Sequence, residues 1–167
     1  MYEAIKVLAK TGRAVLNPEV QAELPYFLEK VQTLPPPTES SLIMLDLWPG
    51  QFLLRDDNTL VLIDMESYVV GPTALELVLV ELWLTNQRYY KEGYLKITHD
   101  QWPDFEEARE VYRFFLYLLY DCPERGLTAC LDSALKFPQG DRVRSRLVAP
   151  KPRPKGFPTN PYDPNQY

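Results

Sequence analysis

The chain has 167 residues, of which 46% are hydrophobic, and its formal net charge is −5 at pH 7. This composition suits one globular domain with a substantial core, and the acidic balance excludes a general basic surface for nucleic acid. The strongest apolar run, residues 74–84, contains two glutamates and is too short to span a bilayer. With no secretory signal at the N-terminus, we expect a cytoplasmic protein that binds neither membrane nor nucleic acid.

The first predicted element is a helix that begins near residue 18. Asn17 followed by Pro18 is an N-cap and first-turn signal, and apolar residues then recur at helical spacing as far as Val31. Pro25 is expected to kink or restart this helix, because proline removes a backbone donor. Three consecutive prolines at 35–37 are expected to end this helix and to form an extended connector after it.

A β-hairpin is predicted next. The apolar runs 52–54 and 60–63 are short and strand-like, and Arg55-Asp56-Asp57-Asn58 between them supplies turn residues. Such a hairpin brings Asp46, Gln51 and Asp64 to one end of the ribbon. Acidic hairpin ends that are merely solvated remain the alternative reading.

These two carboxylates suit phosphoryl transfer. That reaction requires an acceptor oriented by a carboxylate and a Mg²⁺ held by hard oxygen ligands against the phosphates. Asp46 can perform the first task and Asp64 the second.

Mostly helical sequence follows the hairpin. Residues 74–85 are apolar nearly all round, which is typical of a buried central helix. Residues 104–120 carry a broad apolar stripe rich in aromatic side chains, and core packing explains this stripe better than cofactor stacking. A last helix is predicted over residues 124–136.

The cysteines and the histidine offer no catalytic or metal site. Cys122 and Cys130 fit neither a disulfide framework nor a zinc site. His99 is the only histidine and lies in a polar stretch, so we interpret it as a surface loop residue rather than a base.

The two ends of the chain differ in character. Residues 1–140 are predicted to form one compact α+β unit, predominantly helical, whereas residues 141–167 form a basic, proline-rich tail. This tail is interpreted as solvated and disordered; binding to an acidic partner or a proline-recognising domain is the alternative.

The segment from Leu45 to Pro72 resembles the aminoglycoside phosphotransferase and choline kinase family, whose fold is protein-kinase-like. Three blocks carry the likeness in the family's order and spacing. The first is matched by residues 46–50 (Asp-Leu-Trp-Pro-Gly), the second by Ile63, Asp64 and Glu66, and the third is approximated by Gly71, Ala74, Leu75, Glu76 and Leu77. The resemblance is specific over residues 45–77 and extends weakly over residues 17–136.

The resemblance implies a role for each residue of the site. Asp46 would be the catalytic base that orients the acceptor hydroxyl, Asp64 the main metal ligand and Gln51 the second metal ligand. Glu76 would have a scaffolding role. Mg²⁺ and ATP would be the cofactors of an active enzyme, and an inactive chain would have none.

The chain departs from the family pattern at three points. Met44 and Leu45 replace the family's His and Gly, and Gln51 replaces an Asn, which moves the amide oxygen by roughly 1 to 1.5 Å at a metal that tolerates little distortion. Only 45 residues precede Asp46, whereas a five-stranded nucleotide-binding lobe would need about 100. We therefore expect the C-terminal lobe without its N-lobe, and interpret Lys6 as a helix-surface lysine, not the kinase phosphate-pairing lysine.

Two functions follow as hypotheses. The first is a truncated phosphotransferase that transfers the ATP γ-phosphate to a hydroxyl of a small molecule, with a cationic acceptor suited to the acidic surface. The second is a catalytically inactive lobe that serves as a binding or protein-interaction module. A protein that supplies or covers the missing N-lobe face is a candidate partner, and a polar face there would instead indicate an independent module.

Overall fold

The computed structural model describes residues 1–11, 16–47, 49–83, 87–99, 101–120 and 126–131. These residues form a mostly helical α+β structure, which confirms the predicted fold class at that level. The helices are α1 (Tyr2–Leu8), α2 (Pro18–Thr33), α3 (Thr73–Trp83), α4 (Gln87–Ile97), α5 (Glu106–Tyr120) and α6 (Gly126–Leu131); the strands are β1 (Ser40–Met44), β2 (Phe52–Leu54), β3 (Leu60–Leu62) and β4 (Tyr68–Pro72). None of these helices is long and apolar enough to cross a membrane. The predicted tail at 141–167 lies outside the described residues.

The N-terminal part is helical, as the sequence indicates. The Asn17 side chain accepts hydrogen bonds from the backbone amides of Glu19 and Val20, so it caps α2 as predicted. Pro25 lies inside α2 without ending it, so the predicted restart is wrong; the residue is exposed. Lys6 lies on α1 and pairs with Glu3 one turn away, which confirms it as a helix-surface lysine.

The predicted hairpin is present. Strands β2 and β3 pair antiparallel with Phe52 opposite Leu62. The turn is closed by the Arg55 amide, which donates to the Thr59 carbonyl at 2.9 Å. Asn58 adopts a left-handed conformation with φ 63°, a conformation that asparagine tolerates better than most residues.

A second two-stranded sheet was not predicted. Strands β1 and β4 pair antiparallel, from Ser40 opposite Pro72 to Met44 opposite Tyr68. Ile43 and Met44 of β1 are buried. The sheet therefore attaches the chain on both sides of the hairpin to the helical core.

The core lies between α3 and α5. The α3 residues from Leu77 to Leu82 are all buried, which confirms the predicted central helix. On α5 the aromatic side chains pack inside the protein, and Phe114 stacks on Phe27 of α2 with ring centroids 4.0 Å apart. The core-packing interpretation of these aromatic residues is therefore confirmed.

A buried ion-pair network, which was not predicted from the sequence, joins these two helices. Glu81 of α3 accepts hydrogen bonds from Arg109 at 3.0 Å and from Arg113 at 2.9 Å, both on α5. The Glu81 side chain is completely buried. Because a buried carboxylate requires charged or hydrogen-bonding partners, this network fixes how the two helices face each other.

Three further predictions concern His99, the two cysteines and the last helix. His99 is exposed just after α4, so the interpretation as a surface residue is confirmed. Cys130 on α6 is buried, and its thiol donates a hydrogen bond to the Arg113 carbonyl at 3.7 Å, whereas Cys122 lies outside the described residues. Of the predicted last helix over 124–136, the structure describes residues 126–131 as α6.

Candidate functional site

Asp46 lies in the turn that follows β1. The turn is anchored by Leu47, which is buried, while Asp46 itself is exposed. One oxygen of its carboxylate, Oδ2, accepts a hydrogen bond from Nε2 of Gln51 at 3.2 Å. Within the described part of the chain, Oδ1 has no hydrogen-bond partner, so it remains able to accept a proton from a ligand hydroxyl.

Asp64 lies just past the end of β3. Its backbone is left-handed, with φ 60° and ψ 54°, and its side chain is exposed. A left-handed residue other than glycine is sparsely populated, and such conformations gather at functional sites. Among the described residues, the Asp64 carboxylate forms no ion pair.

Two backbone hydrogen bonds hold the Asp46 and Asp64 segments together. The Leu45 amide donates to the Ser67 carbonyl at 3.3 Å, which extends the β1–β4 ladder past its end. The Ile63 amide donates to the Gln51 carbonyl at 2.9 Å, which extends the hairpin ladder in the same way. Each aspartate is thus next to a residue in one of these bonds.

Gln51 is buried between these segments, with 1% of its surface exposed. Its backbone carbonyl bonds to Ile63 and its side-chain amide bonds to Asp46. The amide nitrogen thus faces the Asp46 carboxylate, which would be the catalytic base according to the family resemblance. Gln51 orients Asp46 here, and its amide oxygen is the only atom of this side chain suited to a cation.

The donor set fits Mg²⁺ only in part. No three His, Cys, Asp or Glu side chains gather into a metal-binding group within the described ranges. Magnesium commonly keeps several waters and binds through one or two carboxylates together with substrate phosphates. The exposed Asp64 carboxylate suits that pattern, whereas Gln51 fits less well because its side chain is buried.

Glu76 connects α3 to the strand that leads to Asp46. It lies in the first turn of α3, and its carboxylate accepts a hydrogen bond from the backbone of Met44, two residues before Asp46. Burial raises the pKa of Glu76 to about 7, although the Met44 hydrogen bond acts in the opposite direction. The contact ties α3 to the end of β1, which agrees with a scaffolding role.

Sequence reasoning missed two features of this site. The β1–β4 sheet brings Asp46 close to the chain beyond Asp64, and the Gln51 amide bond orients Asp46. A signal for the first was present, because Leu42, Ile43 and Met44 form a short apolar run. No sequence signal indicates the second, since it depends on the side-chain conformation of a buried glutamine.

Exposed apolar residues lie on both ribbons that carry the site. Leu42 and Val70 face each other across the β1–β4 sheet, and Leu54 and Leu60 do so across the hairpin. Their exposed fractions are 47%, 77%, 62% and 60%, respectively. Contiguous apolar surface of this kind often marks a binding face.

The fold and site have no counterpart in the comparisons with known proteins: no family model matches the chain, and neither curated proteins nor solved structures give a significant match.

Proposed function

We propose that this chain is the substrate- and metal-binding lobe of a small-molecule phosphotransferase. In this proposal the ATP γ-phosphate passes to a hydroxyl of a small molecule, and a cationic acceptor suits the acidic surface. The observation that carries the proposal is that two exposed aspartates, Asp46 and Asp64, lie on segments joined by two backbone hydrogen bonds.

Asp46 orients the acceptor hydroxyl and receives its proton. Its Oδ2 atom is held by the Gln51 amide, so the carboxylate has a fixed direction and Oδ1 is left for the acceptor. A general base must lie within hydrogen-bond reach of the proton that it accepts, and a fixed carboxylate meets this condition without an ordering step.

Asp64 holds the metal. When bound, Mg²⁺ would neutralise charge that develops on the phosphates. Asp64 supplies a hard, exposed carboxylate oxygen for it, and the left-handed backbone turns the chain from β3 towards β4 at that point. The described residues before β1 form helices and no strand, so none of them supplies the β-sheet of a nucleotide-binding lobe.

Substitution of Asp64 tests this proposal. Asp64→Asn removes the charge while it keeps a residue that tolerates left-handed backbone. We expect Mg²⁺ to stabilise the unsubstituted protein by about 1.4 kcal/mol at ten times its dissociation constant, and this stabilisation to vanish in Asp64→Asn. Thermal unfolding with and without Mg²⁺, together with calorimetric titration of Mg·ATP, measures both effects.

Asp56→Asn is the matched control, because Asp56 is an exposed aspartate in the hairpin turn at the other end of the same ribbon. This variant is expected to keep the full Mg²⁺ response. The proposal fails if millimolar Mg·ATP gives no heat and Asp64→Asn responds to Mg²⁺ as the unsubstituted protein does.

A non-catalytic binding module is the second candidate function. The observation in its favour is that Gln51 is buried, with 1% of its surface exposed, which leaves it less accessible as the second metal ligand. Exposed apolar pairs on both ribbons, such as Leu42 with Val70, would then form part of the binding face. The Mg²⁺ response separates the candidates, because a module of this type shows no Mg²⁺ stabilisation that Asp64→Asn removes.

A further inference from the structure

A groove of about 610 Å³ lies between α2 and α6, away from the site described above. Its lining combines acidic and apolar side chains. The lining residues are Glu19, Ala22, Glu23, Leu127, Thr128 and Leu131.

Two like charges on α2 face this groove without a counter-ion. Glu19 and Glu23 are exposed and lie one helical turn apart, an arrangement that is mildly destabilising by itself. Among the residues that the structure describes, neither carboxylate forms an ion pair. A cationic group in the groove would relieve this repulsion.

The charge of the chain is divided unevenly along the sequence. Residues 1–131 carry 11 Lys and Arg against 20 Asp and Glu, whereas residues 132–167 carry seven Lys and Arg against three Asp. Six of those seven basic residues lie within 142–155. The acidic part and the basic part are therefore complementary within one polypeptide.

The basic part begins beside the groove. Leu131, the last residue of α6, lines the groove, and residues 132–167 continue from it. The 11 residues from Leu131 to Arg142 can span at most about 40 Å, whereas Glu19 and Glu23 are separated by about 6 Å along the helix axis. The basic segment can therefore reach both carboxylates.

We propose that residues 142–155 of this chain dock in the α2–α6 groove, with their arginines against Glu19 and Glu23. The apolar residues Val143 and Leu147, which alternate with the arginines in sequence, meet the apolar part of the groove. Tethering makes the contact intramolecular, so individually weak ion pairs act at an effective concentration in the millimolar range. Because the ion pairs form at an exposed surface, salt weakens the contact.

Limited proteolysis of the full chain tests the docking. Trypsin cuts after Arg142, Arg144, Arg146 and Lys155, whereas the prolines at 152 and 154 block cleavage after the residues before them. At low ionic strength we expect cleavage at these sites to be about tenfold slower than in Glu19→Gln/Glu23→Gln, since protection follows the docked fraction. A free peptide of residues 138–157, digested under the same conditions, calibrates the effect of salt on trypsin.

Glu29→Gln/Glu107→Gln is the matched control, because both glutamates are exposed and lie outside the groove. This variant is expected to keep the protection from trypsin. Salt at about 0.5 M is expected to remove the protection, because the Debye length then falls to a few ångströms. A second variant, Arg142→Glu/Arg144→Glu/Arg146→Glu, leaves the groove untouched. Its expected readout is loss of the salt-dependent shift of the Thr128 amide resonance, measured by NMR in the full chain.

The proposal would be overturned if, at low salt, trypsin cleaved the unsubstituted protein, Glu19→Gln/Glu23→Gln and Glu29→Gln/Glu107→Gln at equal rates. Protection that increases with protein concentration would also overturn it, because the groove would then hold the tail of a second copy.

Discussion

Glu76 is a partly buried carboxyl close to the site. Burial raises the pKa of Glu76 to about 7 from an ordinary value of 4.5. A carboxyl with a raised native pKa stabilises the fold at pH values below its unfolded pKa, and that contribution is lost as the pH rises through the native pKa. Part of the stability of this protein is therefore expected to disappear between about pH 4.5 and pH 8.

Glu76→Gln tests this expectation, because glutamine can still accept the Met44 hydrogen bond without acquiring charge. We expect the variant to be more stable than the unsubstituted protein at pH 8, by about 2 to 3 kcal/mol, and the difference to vanish near pH 4.5. Urea unfolding at both pH values measures it. Glu29→Gln, at an exposed position, controls for the loss of one surface carboxylate.

Gln51 is the second residue that the structure makes testable. Asparagine in its place would be one methylene shorter and would lose the 3.2 Å hydrogen bond to Asp46. Because hydrogen bonds to charged groups contribute more than neutral ones, we expect Gln51→Asn to lower the free energy of unfolding by about 1 to 2 kcal/mol. Denaturant unfolding provides the measurement.

A double-mutant cycle with Asp46→Ala separates the hydrogen bond from packing effects. In the Asp46→Ala background, Gln51→Asn should cost clearly less. An unchanged cost would show that Gln51 stabilises the protein by burial alone and does not orient Asp46.

Residue types alone predict part of this site. The sequence predicts Asp46 after an apolar run and Asp64 after a hairpin. In the structure both are exposed and lie on segments that backbone hydrogen bonds hold together. The amide bond of Gln51 is not legible, because sequence does not tell which way a buried side chain points. The half-buried state of Glu76 is equally hidden, since it depends on packing between α3 and β1.

At the scale of elements, the central feature is the ion-pair network between α3 and α5. Glu81 bonds to Arg109 and Arg113 inside the core. Removal of one partner from a buried pair leaves an uncompensated charge, which typically costs 3 to 5 kcal/mol. The network therefore makes the α3–α5 contact intolerant of change at Glu81.

Glu81→Gln is expected to destabilise the protein by about 3 kcal/mol, as measured by denaturant unfolding. Glu106, which also pairs with Arg109 but has a side chain 47% exposed, provides the control. Glu106→Gln should cost less than about 1 kcal/mol, because exposed ion pairs contribute little. Similar costs for the two substitutions would contradict the special role of the buried pair.

Elements were predictable where their signals are local. The cap at Asn17 fixes the start of α2, and the turn residues 55–58 fix the hairpin, so both were expected from sequence. Strands β1 and β4 were missed, because they pair across a separation of 24 to 32 residues, so no local turn signal links them. Glu81 did carry a sequence signal for its network, because a glutamate that follows a run of apolar residues in a buried helix requires a buried partner.

At the scale of the whole molecule, the helical core and the two ribbons have different surfaces. The core buries most of its apolar side chains, whereas the ribbons expose Leu42, Leu54, Leu60 and Val70. Both candidate functions use this difference. A catalytic lobe would place its nucleotide-binding partner against this surface, and a non-catalytic module would bind its partner there.

Leu54→Lys/Val70→Lys tests whether these side chains are free in the isolated protein. Because they are 62% and 77% exposed, the free energy of unfolding is expected to change by less than about 0.5 kcal/mol, while association at high protein concentration, followed by light scattering, decreases. The control Gln32→Lys/Thr38→Lys adds the same charge at exposed polar positions and should reduce association less. A loss of stability above about 1.5 kcal/mol in Leu54→Lys/Val70→Lys would mean that the protein itself covers these side chains, and the ribbons would then lose their role as a binding face in both candidate functions.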